Sequence, residues 1–358
     1  MAAPAIPAEL GPGGLAGRIR GRPVAIAVVG LAALAVLLIA GVTLGSAQTS
    51  PGDTIGVILW RALGLDTGHA WSSATETIVW DLRVPRVLTA MLVGAGLAVA
   101  GATLQGLIRN PLADPYILGT ASGAALGAAV AVLIPIRLVV IEFGLVHGLA
   151  FVGALGTAFV VLRAGGSGVS GGLTRLLLTG YAVSSVLAAL LTMAMYVSGS
   201  NLRQIFSFLL GGLGGSSWAR LAVAAPLIVG TCLIVAWRAR ILDGFLLGDA
   251  AAGHLGLDVK RERRIFLALA SMATAAAVAI SGLIGFVGLV VPHVVRLLVG
   301  PAGRRLVPLS AILGAALLAA ADLGARLVGD IPVGVVMALV GAPFFLFLLS
   351  RMRSGYEL

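Results

Sequence analysis

Ten apolar runs, each about long enough to cross the hydrocarbon core of a bilayer, follow one another along this chain with only short polar punctuation between most of them. They lie at about residues 24–44, 87–107, 116–134, 139–162, 175–197, 221–237, 265–284, 285–299, 306–323 and 332–350. In lipid every backbone N–H and C=O must be satisfied within the protein, so runs of this length are expected to be helices. Barrel strands do not fit, because they alternate apolar and polar residues over about ten positions, whereas these runs are apolar throughout. The seventh and eighth runs are divided only by Ser281-Gly282-Leu283-Ile284-Gly285. One helix across both would be far longer than a bilayer needs, which favours a break at the glycines.

A chain of 358 residues that is 59% hydrophobic and 11% charged, with a mean hydropathy of +1.08, is not a soluble globule, whose charged share is about a quarter. Its 50 glycines point to helices in close approach, since association in lipid depends on small-residue packing. The net charge of +10 suggests nucleic acid until the charges are located. With both termini inside, 17 of the 24 Lys and Arg fall in inner segments and the other seven outside, so topology accounts for them and no nucleic-acid partner is expected. This gives cytoplasmic tails at 1–22 and 351–358 around a single membrane domain at 23–350. Arg18, Arg20 and Arg22 precede a run from Val24 to Leu44 that is too long for a signal-peptide core, so it reads as an uncleaved first helix. The single cysteine, Cys232, sits in an apolar run and reads as a small core residue.

Two segments outside the runs also look structured. Residues 45–86 form a long outer loop with Trp60, Trp71 and Trp80, aromatics suited to the membrane interface. Residues 198–220 hold NLRQIFSFLLGGLGG, too short to span and suited to a re-entrant or interfacial helix. Ala98-Val-Ala-Gly-Ala and Ala277-Val-Ala-Ile-Ser-Gly echo each other five helices apart, an odd offset that implies inverted repeats, although an alanine-rich chain produces such matches by chance about as readily.

Arg83 to Ala125 reads RVPRVLTAMLVGAGLAVAGATLQGLIRNPLADPYILGTASGAA, a membrane hairpin closed by an Arg109-Asn110-Pro111 turn. It resembles the FecCD-type permeases, membrane subunits of ABC importers for ferric siderophores, haem or cobalamin, in which LxxPR opens the second helix and QGLxRNPLADPxxLGxxSGA closes it. Further matches are Gly285-Phe286-Val287-Gly288-Leu289 to Pro292-His293, then Val295-Arg296-Leu297-Leu298-Val299-Gly300, and Pro332-Val333-Gly334 to Gly341-Ala342-Pro343-Phe344-Phe345. The resemblance covers about residues 80 to 350. It implies an all-α polytopic membrane protein of about ten helices with a BtuC-like permease fold, multi-pass in the bacterial inner membrane. The implied partners are a cytoplasmic ABC ATPase, a periplasmic or lipid-anchored substrate-binding protein, a second permease subunit (a homodimer partner or a related chain) and membrane lipid.

The resemblance also places sites. Leu247, Gly248, Asp249, Ala252, Leu255 and Gly256 resemble the family's LGExxAxxLG coupling segment, with Asp249 expected as N-cap and Leu255-Gly256 near the helix end. Arg83, Arg86 and Arg326 sit at outer helix ends against the usual sidedness and match positions that meet glutamates on the binding protein; the competing reading is that they snorkel to headgroups. Gly172, Leu173 and Thr174 stand at the family's cytoplasmic gate, where Thr174 matches but Gly172 and Leu173 replace hydroxyl residues, leaving a flexible loop as the alternative. Pro292 frees a backbone carbonyl within a helix and His293 is placed to hydrogen-bond nearby, a structural reading preferred to haem ligation. His69, His147 and His254 show no metal-ligand spacing, and neither a metal nor a cofactor is expected.

No G-x-x-x-x-G-K-[ST] phosphate loop occurs, and the one lysine, Lys260, lies in no such context, so the chain is expected to transport without hydrolysing ATP itself. The expected cargo is an iron chelate, a ferric siderophore first, with haem or cobalamin as the other choices. A pathway lined by helices five and ten, small and weakly polar, follows from the resemblance. The rival from another class is a secondary transporter driven by an ion gradient, for which Asp322 is the best intramembrane carboxylate. A membrane-embedded enzyme has no catalytic constellation to support it.

Overall fold

The computed structural model describes residues 22–352 except 46, 48, 66–67, 69–70, 135–138, 141–142 and 166–171. Of the tails read at 1–22 and 351–358, residues 1–21 and 353–358 lie outside the described residues, as do Arg18, Arg20, His69 and most of the loop before the gate, while 351–352 continue the last helix. In chain order the helices are α1 (Pro23–Thr43), α2 (Pro51–Leu63), α3 (Ser73–Ile108), α4 (Thr120–Leu133), α5 (Leu145–Gly165), α6 (Gly172–Val197) and α7 (Leu202–Leu210). They continue as α8 (Trp218–Trp237), α9 (Ala239–Leu246), α10 (Asp249–His254), α11 (Val259–Ser281), α12 (Val287–Val299), α13 (Gly303–Leu327) and α14 (Val333–Met352). Among the described residues seven of these, α1, α3, α5, α6, α8, α11 and α13, are long and apolar enough to span a membrane, and α4, α12 and α14 are shorter apolar helices. Together they are the ten runs read from the sequence.

The boundaries differ where capping and turn chemistry override hydropathy. The outer loop expected at 45–86 is largely helical: Ser50 caps α2 by accepting the Asp53 N–H at 3.0 Å, and Gly64 ends it at φ 68°. Ser72 starts α3 in the same way, fourteen residues before the Val87 expected from hydropathy. This helix runs through Pro85 because Thr77–Arg83 form a π-helical turn, in which the Val84 N–H reaches the Val79 carbonyl five residues back. The wider turn relieves the clash between a proline ring and the preceding turn. The fourth span starts at Leu145 rather than 139, because Val139–Val140 pair antiparallel with Phe143–Gly144.

The centre of the bundle is α3 against α11, the two most enveloped spans, with α12 and α13 packed on α3. Close approach there requires glycine. A Cβ on Gly101 would stand 1.8 Å from the Gly288 carbonyl oxygen, and one on Gly94 would stand 2.2 Å from that of Gly314. Both alanine-rich echo segments, Ala98–Ala102 and Ala277–Ser281, lie in this core.

Candidate functional site

The break expected between the seventh and eighth runs is present, and it gathers three irregular pieces of backbone. Gly282 (φ 67°) and Phe286 (φ 68°) bound the segment between α11 and α12, left-handed positions that end one helix and redirect the next. The Gly212 N–H donates to the Ser281 carbonyl at 2.8 Å, the Leu283 N–H to Phe208 at 3.3 Å, and the Gly334 N–H to Gly211 at 3.1 Å. Thus the end of α7, the break and the start of α14 satisfy one another, as irregular backbone at membrane depth must. Tyr116 pins the segment from the other side: its hydroxyl donates to the Ile284 carbonyl at 2.9 Å and accepts the Ile284 N–H at 3.2 Å. Replacing Tyr116 with phenylalanine strands two buried backbone groups and is expected to lower stability by about 1–3 kcal/mol. The melting temperature in detergent reads this out, and an unshifted melt would show that the break holds itself.

Just before Tyr116, Asp114 accepts its backbone N–H at 2.7 Å, and burial pushes the Asp114 carboxyl up to about 6 while that hydrogen bond opposes the rise. The carbonyl freed by Pro292 is that of Gly288, four residues back. It is met not by His293, whose Nδ1 has no partner among the described residues, but by Gln105, whose Nε2 donates to Leu289 at 3.1 Å and Gly288 at 3.4 Å. Helix periodicity gives the reason: five residues on from Gly288, His293 stands roughly 140° around the helix from the freed carbonyl. Gln105 belongs to the QGLIRNP stretch and carried no signal beyond being a buried amide in an apolar run.

Arg83, Arg86 and Arg326 come together on the face where α1 ends and α3 begins, around a cavity of about 270 Å3 also lined by Gly45, Ala47, Gly214 and Asp330. Arg83 and Arg326 are almost fully buried, 6% and 8% exposed. Arg83 donates to the carbonyls of Val42 at 2.9 Å, Thr43 at 3.0 Å and Ala47, and to Thr49 Oγ1 at 2.7 Å. Arg326 donates to Gly41 at 2.9 Å and Leu44 at 3.5 Å. Both guanidiniums therefore satisfy the carbonyls that the C-terminus of α1 leaves without intrahelical partners, where positive charge is also favoured by the helix dipole. Between the arginines lies Asp322, 1% exposed, which accepts from Arg86 Nε at 3.0 and 3.2 Å and forms an ion pair with Arg326, its Oδ2 3.2 Å from Nε. Headgroup snorkelling does not describe these side chains: they face inward, toward carbonyls and a buried carboxylate. Arg86 also reaches Asp330 at 2.7 Å.

The residues expected to form a coupling segment lie in and around α10. Gly248 (φ 96°) turns the chain into α10, and Gly256 (φ 84°) ends it, with the Leu257 N–H returning to Ala252 at 3.2 Å. Asp249 is the first helical residue rather than the expected N-cap, and its side chain makes no cap bond. Instead it accepts from Arg263 of α11 at 2.6 Å and lies 3.9 Å from Arg109, the left-handed residue that closes α3. A charge-assisted bond to arginine outcompetes the cap, and it ties α10 to both central helices. Ala252 is fully buried, while Leu247 and Leu255 are 66% and 65% exposed. They edge an apolar groove of about 800 Å3 with Ile241, Gly244, Leu246 and Leu257. Gly172, Leu173 and Thr174 form the first turn of α6, with Thr174 exposed. Along α6 the apolar side chains of Tyr181, Val186, Met193 and Tyr196 are exposed, as are Leu339 and Val340 of α14, while the hydroxyls of Thr179, Ser185 and Thr192 bond back to their own helix.

Ten apolar helices, irregular backbone at membrane depth held by protein, and two chemically different faces define a polytopic membrane transport protein. Residues 33–351 match the FecCD transport family. The chain is 42% identical over 337 residues to the cobalamin import system permease protein BtuC of Halobacterium salinarum, covering 91% of this chain and 89% of that protein. It is 40% identical over 302 residues to the hemin transport system permease protein HmuU of Yersinia pestis, 82% and 90% covered, and 42% identical over 308 residues to the vitamin B12 import system permease protein BtuC of Vibrio cholerae, 83% and 90% covered. Among solved structures, a chain described as an inward-facing ABC transporter of metal-chelate type superposes with a TM-score of 0.77 at 28% identity, covering 91% of this chain and 99% of that one. This chain belongs to the FecCD transport family.

Proposed function

We propose that this chain is the permease subunit of an ABC importer that carries a bulky metal chelate into the cytoplasm, with ATP hydrolysed by a separate subunit. The observation that carries the reading is the groove edged by Leu247 and Leu255 on a turn tied through Asp249 to α3 and α11, a rigid protrusion on which a motor subunit has purchase. The basic face is then cytoplasmic, with both termini on that side and the chain in the inner membrane. The exposed apolar faces of α6 and α14 support a second permease across a shared pathway, with the first turn of α6 as its cytoplasmic gate. The arginine-lined face is the docking side for a substrate-binding protein, and Arg86 is the member of the trio best placed for it, because Arg83 and Arg326 hold the end of α1. The cobalamin and hemin permeases among its relatives favour a metal tetrapyrrole cargo over the ferric siderophore expected from sequence. The secondary-transporter alternative loses its carboxylate, since Asp322 is held by two arginines.

Proteoliposomes containing the permease pair and its ATPase, supplied with binding protein and offered cobalamin, haem or a ferric siderophore in turn, test the reading. Uptake is expected to require ATP hydrolysis, to ignore ionophores and to be strongest for one tetrapyrrole. Uptake that follows an ion gradient without ATP overturns the importer; ATP-driven uptake of only the siderophore overturns the cargo.

A further inference from the structure

The arginine cavity has a feature that its neighbours do not explain. Three guanidiniums face two carboxylates there, so the cluster keeps a net positive charge, and of the two acids only Asp322 is buried. Asp330 is 57% exposed, yet its carboxylate sits at 2.7 Å from Arg86, whose side chain is only 14% exposed. It is presented from a turn in which Gly329 has φ 118° and Asp330 itself φ 55°, a left-handed conformation that a residue with a Cβ rarely holds. The turn is anchored by the Ile331 N–H to the Ala325 carbonyl at 3.2 Å and leads at once into α14. Four residues after Asp330, Gly334 presses on the break: a Cβ there would stand 2.2 Å from the Leu210 carbonyl oxygen and 2.8 Å from that of Leu283.

We propose that Asp330 is an internal stand-in for a partner's carboxylate, and that a docking acidic side chain of the substrate-binding protein displaces it from Arg86, releasing the 328–332 turn and with it the seating of α14. This rests on the importer reading above, and it adds to it a built-in competitor and a route from the docking face to the junction of α7, the break and α14. The occupant is a protein carboxylate because Arg86 already presents the geometry that holds one, twice over, in Asp322 and Asp330. Exchange of one exposed carboxylate for another at the same guanidinium costs little, so the latch sets how readily docking is registered more than how tightly the partner is held.

The test uses the complete importer in nanodiscs with its substrate-binding protein, measuring capture at several salt concentrations and amide exchange over 328–336. Asp330→Asn, and Asp330→Ser as a second variant, are expected to bind the partner about three- to fivefold more tightly than wild type, the size of one exposed ion pair. Without partner, their amides at 331, 333 and 334 exchange faster, as wild-type amides do only when the partner is bound. In an Arg86→Gln background the gain from Asp330→Asn disappears. Unchanged or weaker capture by both variants, or a gain that persists without Arg86, overturns the latch while leaving the importer intact. Wild-type importer that captures no binding protein removes the docking reading itself, and the latch falls with it.

Discussion

Replacing Asp322 with alanine is expected to lower the stability of the protein by about 3–5 kcal/mol, the loss typical when one partner of a buried ionic cluster is removed. Asp322 is 1% exposed and holds Arg86 and Arg326, so its deletion leaves those two guanidiniums beside a third, Arg83, with the exposed Asp330 alone to answer Arg86. Thermal unfolding followed by size exclusion in detergent measures the effect. A double variant in which Arg326 also becomes methionine is expected to recover only part of the loss, because it removes the unpaired buried charge but also the bonds from Arg326 to Gly41 and Leu44. Asp322→Ala melting at the wild-type temperature would mean that the α1 end is held by the carbonyl bonds of Arg83 and Arg326 alone. The same geometry changes how docking must be probed. Glutamate at all three arginines would undo the corner that ties α1 to the bundle, so loss of binding-protein capture in that variant says little, whereas Arg86 can be changed singly.

Leu255→Glu should separate the permease from its ATPase with little effect on folding. Leu255 is 65% exposed at the rim of the groove, so the folded monomer scarcely notices the change. A leucine buried at an interface contributes about 1.5–3 kcal/mol, and a carboxylate forced into an apolar groove adds a desolvation penalty. Affinity for the ATPase is expected to fall by at least about thirtyfold, equivalent to roughly 2 kcal/mol or more. Co-purification at graded ATPase concentration and ATP-driven uptake both report it. Gly256 is the poorer target, because at φ 84° any side chain strains the turn and confuses misfolding with uncoupling. A fully coupled Leu255→Glu importer would place the ATPase contact elsewhere on the basic face.

Long apolar runs need no partner to declare themselves, so the ten membrane helices were legible in the sequence, and Gly282 marked the break because glycine tolerates the left-handed backbone there. Ends of helices were less legible. Ser72 is a small polar residue in a loop until its side chain caps α3, and Pro85 reads as a helix start unless a π turn precedes it. Side-chain partners across the bundle were not legible at all. Asp249 looks like a cap because the competing Arg109 and Arg263 lie far away in sequence, and Gln105 gives no hint that it answers Pro292. Arg83, Arg86 and Arg326 stand out as a group from their expected sidedness, but that two of them cap α1 depends on contacts to residues 41 to 49, which no local pattern encodes.

The knot of Gly211, Leu283 and Gly334 bears on how this architecture can vary. Three connecting segments, after α7, between α11 and α12, and before α14, are bonded to one another rather than to water. Inserting or deleting a residue in any one shifts the register of the other two, so length drift is confined to connections that close on themselves. The exposed end of α2 is such a place: Gly64 and Leu65 bond back to Trp60 and Leu59 of their own helix, whereas the stretch before α2 is held by Arg83 at Ala47 and Thr49. An epitope tag or a fluorescent domain placed there should leave the bundle intact, whereas a single extra glycine beside Gly334 should not.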